Sequence, residues 1–201
     1  MSKISFEFAN MPKLMQQIKA YEQVAPKAAK ATMGNFAHGK GKTWVNNGVR
    51  EIYNIKSARI NKAYFKSTTE GKANIAGILV PNQQLVYKSR AVTAREFSMT
   101  PSTRPKAKKR HNAYGQVAAE FFIGKKKNLG PDVFLGMGNN GLTFPFIKAP
   151  TSSNPHAIKP VYTVTVPQMI TGVAADKVRE SMMDGFEKQF DFNIKKYLKK
   201  I

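Results

Sequence analysis

Two runs of bases are the residues with the clearest chemistry. Arg104, Lys106, Lys108, Lys109 and Arg110 form one run, and Lys125, Lys126 and Lys127 form the other. Lysine and arginine neutralise phosphates whatever the base sequence, so both runs suit a nucleic-acid backbone. The plain alternative for each is a solvated loop that serves solubility. The chain as a whole favours a partner. Thirty-three Lys and Arg face twelve Asp and Glu in 201 residues, a net charge of +21. Such an excess suits a polyanion, or a surface that is neutralised inside an assembly. No zinc-finger, RRM or helix-turn-helix pattern accompanies it, so base-specific reading is not expected.

Other motifs look chemical and fail on context. Gly34-Asn35-Phe36-Ala37-His38-Gly39-Lys40 nearly spells a phosphate-binding loop, but Gly41 stands where the hydroxyl should be. The shifted frame ending Gly41-Lys42-Thr43 restores the hydroxyl and then lacks glycine at Phe36. Neither frame follows a strand, which the cradle requires. Gly136-Met137-Gly138-Asn139-Asn140-Gly141 matches the dinucleotide fingerprint. A helix must open there, yet the strand-like Leu142-Thr143-Phe144 follows, so a hairpin tip is expected. His38, His111 and His156 are scattered and cysteine is absent, so neither a metal nor a cofactor is expected. The carboxylates concentrate near the C-terminus, where a solvated helix face explains them better than an acid–base pair. The chain therefore reads as a non-enzyme.

The elements that must position these residues read as α+β. The length allows a single domain, residues 1–201, with a real core. A short alternating strand at residues 4–8 precedes a helix at about 12–23. Pro26 opens a second, Ala-rich helix to about Val49, which Gly34, Gly39, Gly41 and Gly48 weaken. A basic helix at 56–65 ends the helical part, residues 11–65. The strand-rich part, 73–166, has strands at 73–80 and 84–87 around a Pro81-Asn82 turn, then at 90–99 and 114–123. Residues 100–112 and 124–130 read as long basic loops. A hairpin joins 132–137 to 142–147. The order of helices, then strands, then one helix indicates a mainly antiparallel sheet rather than a parallel α/β fold. No segment approaches the roughly 20 apolar residues of a membrane span, and the N-terminal stretch lacks the apolar core of a secretory signal.

The last segment is the most regular. A β-branched run, Val161, Thr163, Val164, Thr165 and Val166, stops at Pro167. A terminal helix over 171–200 follows, with Met183, Phe186, Phe190, Ile194, Tyr197 and Ile201 as its apolar stripe, packed on the sheet. Acids lead it and Lys195, Lys196, Lys199 and Lys200 end it, which complements the helix dipole.

Residues 161–170, Val-Tyr-Thr-Val-Thr-Val-Pro-Gln-Met-Ile, resemble a segment of the bacteriophage minor tail protein Z family, Leu-Tyr-Gly-Pro-Ser-Val-Pro-Gln-Met-Ile. The match is tight over 166–170 and loose over 26–201. It departs where Thr163, Val164 and Thr165 replace Gly-Pro-Ser. The hairpin with Val133, Phe134, Leu135, Phe144 and Phe146, and the Ala-rich helix before Ile55, are similar to the family as well. The resemblance implies a virion structural protein of the tail or neck, assembled in the host cytoplasm. It would complete the tail and join it to the head, as a ring of six around the DNA channel, against neighbouring tail and neck proteins. Pro167, Gln168 and Met169 would then be the candidate subunit interface. Six copies would carry about +126, six times +21, which DNA or acidic neighbours must offset. One basic run would face the DNA without sequence preference, and the other would meet the neighbouring ring. The competing expectation is a free, sequence-independent nucleic-acid-binding protein.

Overall fold

The computed structural model describes residues 11–75, 77–104, 116–139, 141–151 and 153–200, with side chains from Ala20 onward except that of Ile75. The strand expected at 4–8, together with Lys106, Lys108, Lys109, Arg110 and His111, lies outside the described residues. The fold is α+β, with helices first, antiparallel sheets next and a long helix last. Two compact units form. One contains residues 1–41, 67–84 and 183–201, and the other contains 42–66 and 85–182.

In the first unit, helix α1 (Met11–Asn35) runs unbroken through Pro26. The sequence suggested two helices here. Val24, Ala25, Ala28, Ala29 and Met33 recur at helical spacing and are all buried, and that packing outweighs the proline. Pro26 and Glu22 both lie on the exposed side, where the carbonyl freed by the missing N–H can turn to water. A π-type turn, Phe36–Lys40, then ends the helical run, with Gly39 at φ 135°. Only glycine tolerates that angle without strain, so the expected continuous helix to Val49 is divided there.

The hairpin of β1 (Tyr64–Ile75) and β2 (Ile78–Tyr87) sends its outer part into the same unit. Pro81 sits inside β2 instead of making a turn. This sheet has only two strands, so β2 keeps an open side on which a missing N–H is harmless. Ile78 and Val80 pack against α1 and against Phe186, Phe190 and Ile194 of α5 (Ala175–Leu198). Met183, placed in the buried stripe from sequence, is 59% exposed instead. Within the first unit the buried stripe of α5 runs through Phe186, Phe190 and Ile194.

One polar pair lies in this core. Asn193 donates to the Thr32 hydroxyl at 2.9 Å, and that hydroxyl donates to the Ala28 carbonyl at 2.8 Å. Both residues are buried, so each amide and hydroxyl depends on the other. Thr32→Val should therefore cost about 1–3 kcal/mol by leaving the Asn193 amide unpaired. Urea unfolding at equal slope would measure it, and an unchanged midpoint would show that the pair carries no stability.

In the second unit, α2 (Gly41–Ile52) and α3 (Ser57–Ala63) pack on the start of α5 and on α4 (Val166–Thr171). The core holds Val45, Val49, Tyr53, Ile60, Val92, Phe97, Val166, Met169 and Val178. Asn46 of α2 ties α3 in place by donating to the Ser57 hydroxyl at 2.7 Å and to Asn61 Oδ1 at 3.2 Å. The helix expected at 56–65 is shorter, since Tyr64 already starts β1.

Two three-stranded antiparallel sheets complete the unit. One orders β3 (Ser98–Thr100), β4 (Ala118–Phe122) and β5 (Lys125–Asn128). The other orders β6 (Val133–Met137), β7 (Thr143–Lys148) and β8 (Ile158–Pro160). The β6–β7 hairpin is the one expected, with Phe134 opposite Phe146. The strand expected at 90–99 survives only as β3, because a 3₁₀ turn at Ala94–Glu96 interrupts it.

Candidate basic interface

The second basic run is a strand and not a loop. Lys125, Lys126 and Lys127 lie in β5, paired with β4 through Phe122↔Lys125, Glu120↔Lys126 and Ala119↔Lys127. Gly124, at φ 73°, closes the tight turn, and its N–H donates to Glu120 Oε1 at 2.7 Å. Strand geometry is tolerated by three lysines because β5 is the last strand of its sheet, and every one of its residues is exposed. Of the first run, Arg104 is described and is half-buried.

The ion pairs among the described residues join Lys177 to Glu51 and Glu180, Arg179 to Asp176, Lys188 to Asp184 and Lys195 to Asp191. All use α5, mostly at helical spacings of three or four residues. The carboxylates of α5 are thus a solvated, self-paired face, as the sequence suggests. Glu180 holds Lys177 above the usual lysine range by hydrogen bond and charge. Lys125, Lys126, Lys127 and Arg104 have no ion pair among the described residues.

An open groove of about 710 Å³ runs beside β5. Lys125–Asn128 and the extended segment 161–164 both line it. Tyr53, Phe97, Phe121, Phe122 and Val173 line it as well. Phe97 meets Phe121 edge-on at 5.0 Å, and Tyr53 stacks on Phe122 at 4.9 Å. Burial pushes the Tyr53 hydroxyl above the ordinary tyrosine range. Among the described residues, the lining holds cations and apolar surface, with no carboxylate or histidine. It is chemically a surface for binding an anionic or amphipathic partner.

The β-branched run at 161–166 was expected as a strand. Residues 161–164 form a single bridge, Thr93↔Tyr162, supported by Thr163 N–H to the Val92 carbonyl at 2.7 Å and Ala94 N–H to the Val161 carbonyl at 2.9 Å. The ladder stops because its partner segment turns into the 3₁₀ helix.

The proposed interface segment has divided duties. Thr165 caps α4 in a capping box: its hydroxyl accepts from the Gln168 N–H, and its own N–H donates to Gln168 Oε1 at 2.9 Å. Pro167 fits the first turn of α4, where no N–H is needed. Met169 is fully buried in the core of its own unit, so Pro167 (half-buried) and Gln168 (exposed) are the residues that can reach a neighbour.

Sequence reasoning missed a second basic–aromatic surface. Phe65 is 55% exposed, with Lys88 Nζ 4.2 Å and Lys66 Nζ 5.7 Å from its ring centre. Lone lysines far apart in sequence leave no local signal for such a cluster. The decoy motifs take the bland form. The near-phosphate-loop frame occupies the end of α1 and the π-type turn, so a helix and not a strand leads into it. Gly136 lies in β6 and Gly138 in the tip of the β6–β7 hairpin. No group of three potential metal ligands occurs among the described residues. No described helix is long and apolar enough to cross a membrane. No family model, no curated protein and no solved structure matches the chain.

Proposed function

We propose that the chain is a bacteriophage virion protein that completes the tail and joins it to the head, as a homo-oligomeric ring of six around the DNA channel. The observation that carries this reading is the uncompensated positive charge. A net +21 leaves β5 lined with three exposed lysines, while the ion pairs among the described residues all involve α5. A free monomer pays for that in self-repulsion, and an assembly around DNA removes it. The resemblance at residues 166–170 agrees, and it has physical content. Thr165 stands where the family's segment has serine, and threonine caps a helix in the same way. In this reading Arg104, Lys106, Lys108, Lys109 and Arg110 face the DNA, and Lys125, Lys126 and Lys127 meet the neighbouring ring. Pro167 and Gln168 serve the contact between copies.

The test replaces Lys106, Lys108, Lys109 and Arg110 by Ser. Particles assembled with this variant should lose DNA or fail to join tails, as counted by electron microscopy and by infectivity. On duplex DNA, the log–log salt slope should shrink by about 3.6 if all four bases meet phosphates. Normal particles with full infectivity would remove the virion reading. Tight, steeply salt-dependent binding by the monomer would favour a free nucleic-acid-binding protein instead.

A further inference from the structure

The groove beside β5 has the form of a slot for one more strand. All four consecutive residues of β5 line it. A hollow above one face of a strand would touch alternate residues only, so this one runs along the strand's edge. The hydrogen-bond pattern agrees. Leu129 N–H donates to the Val117 carbonyl, and Lys127 lies opposite Ala119. Backbone groups alternate in direction along an antiparallel strand, so Lys126 turns its N–H and C=O away from β4 and towards the groove.

The segment 161–164, which lines the same groove, repeats the arrangement. Thr93 and Tyr162 form a bridge whose bonds come from their neighbours, Thr163 to Val92 and Ala94 to Val161. In such a pair the backbone groups of Tyr162 point away from Thr93. Among the described residues, no strand pairs with Tyr162 or Lys126 on the groove side. The backbone groups of Lys126 and Tyr162 thus face away from their ladders, and the edge-on pair Phe97 and Phe121 lines the same groove.

We infer that this groove takes an extended segment of a partner protein by strand addition, and that the segment alternates apolar and acidic residues. Charge selects the occupant. Among the described residues, Lys125, Lys126 and Lys127 have no ion-pair partner and no carboxylate lines the groove. Acidic side chains would meet the lysines while apolar ones enter between Phe121 and Val173. The lysines also oppose pairing of this edge with itself, because like charges would meet across the new ladder. Main-chain bonds give such complexes affinity, and alternate side chains give them specificity. This inference stands on the groove alone and does not require the virion reading.

A fluorescent heptapeptide of alternating valine and glutamate is the probe. Its anisotropy on titration with the full chain should show saturable binding. Methylating alternate backbone nitrogens of the peptide should weaken binding about tenfold or more, since several main-chain bonds are lost. Replacing its glutamates by lysine should abolish binding. The K125Q/K127Q double variant should weaken the valine–glutamate peptide and leave far-UV circular dichroism unchanged. Amide exchange reads the site directly, as binding should slow exchange at Lys126 and Tyr162. Equal binding by the methylated peptide overturns the proposal. So does protection of those two amides by duplex DNA or by self-association, with no effect of the peptide.

Discussion

Replacing Gly48 by Ala should destabilise the second unit by about 1–2 kcal/mol, although alanine is the better helix former. A Cβ at this position would lie 2.5 Å from Val178 Cα and 2.7 Å from both the Val178 nitrogen and the Lys177 carbonyl oxygen. These are backbone atoms and cannot rotate aside. The helices must move apart, and overpacking of this kind costs about 1–3 kcal/mol and occasionally more. The propensity gain of about 1 kcal/mol opposes it without cancelling it. The Ser181 hydroxyl, which donates to the Trp44 carbonyl at 3.0 Å, pins the same crossing and resists the shift. Gly34 is the control. Nothing lies within 4 Å of a Cβ there, so Gly34→Ala should be neutral or stabilise by up to about 1 kcal/mol. Urea midpoints at constant slope separate the two outcomes. Equal stability of the Gly48→Ala protein would show that the crossing is looser than its geometry.

The glycines illustrate what a sequence can say. Gly34, Gly39 and Gly48 all weaken a helix by composition, yet their reasons differ. Gly39 bends the chain at φ 135°, Gly48 admits a neighbouring helix, and Gly34 does neither. Only tertiary context separates them. The same holds for proline. Pro26 read as a break and Pro81 as a turn, but one is carried on the exposed side of α1 and the other on a two-stranded sheet. Where local chemistry and packing agree, reading from sequence succeeds. The β6–β7 hairpin, the helical character of the chain's end and the α+β order were all legible because periodicity and turn residues point the same way. The stripe of the last helix was off at Met183, where the neighbouring Met182 packs inward on the core of the second unit.

The candidate site was legible only in part. Three adjacent lysines declare their charge in any reading. That they form an edge strand depends on pairing with Ala118–Phe122, which no composition reveals. The groove is harder still. Its lining comes from Tyr53, Phe97, Phe121, Tyr162 and Val173, which meet only on folding. Aromatic residues of this kind read as core in a sequence, and Tyr53 and Phe97 are indeed buried. Whether such a residue also borders a cavity is set by the spacing of the elements around it.

Met169→Ala should be among the most damaging single changes, and its neighbours in sequence should not. Met169 is fully buried beside Val166, Ala174 and Val178, and truncating such a side chain costs about 2–5 kcal/mol. Thr165→Ala removes the cap of α4 and should cost about 1 kcal/mol. Gln168→Ala removes the reciprocal half of the capping box, a bond of 2.9 Å to the Thr165 N–H, and should cost no more than that. The contrast separates two roles that one short motif combines. If Gln168 also contacts a neighbouring copy, Gln168→Ala will lose the oligomer in sedimentation while its urea midpoint moves only slightly. If the segment serves only the fold, oligomer formation across the series should track stability, with Met169→Ala worst and Gln168→Ala near the parent. An oligomer that survives Gln168→Ala and a Pro167→Ala partner variant would leave this segment as core and cap alone, and the contact between copies would have to lie elsewhere.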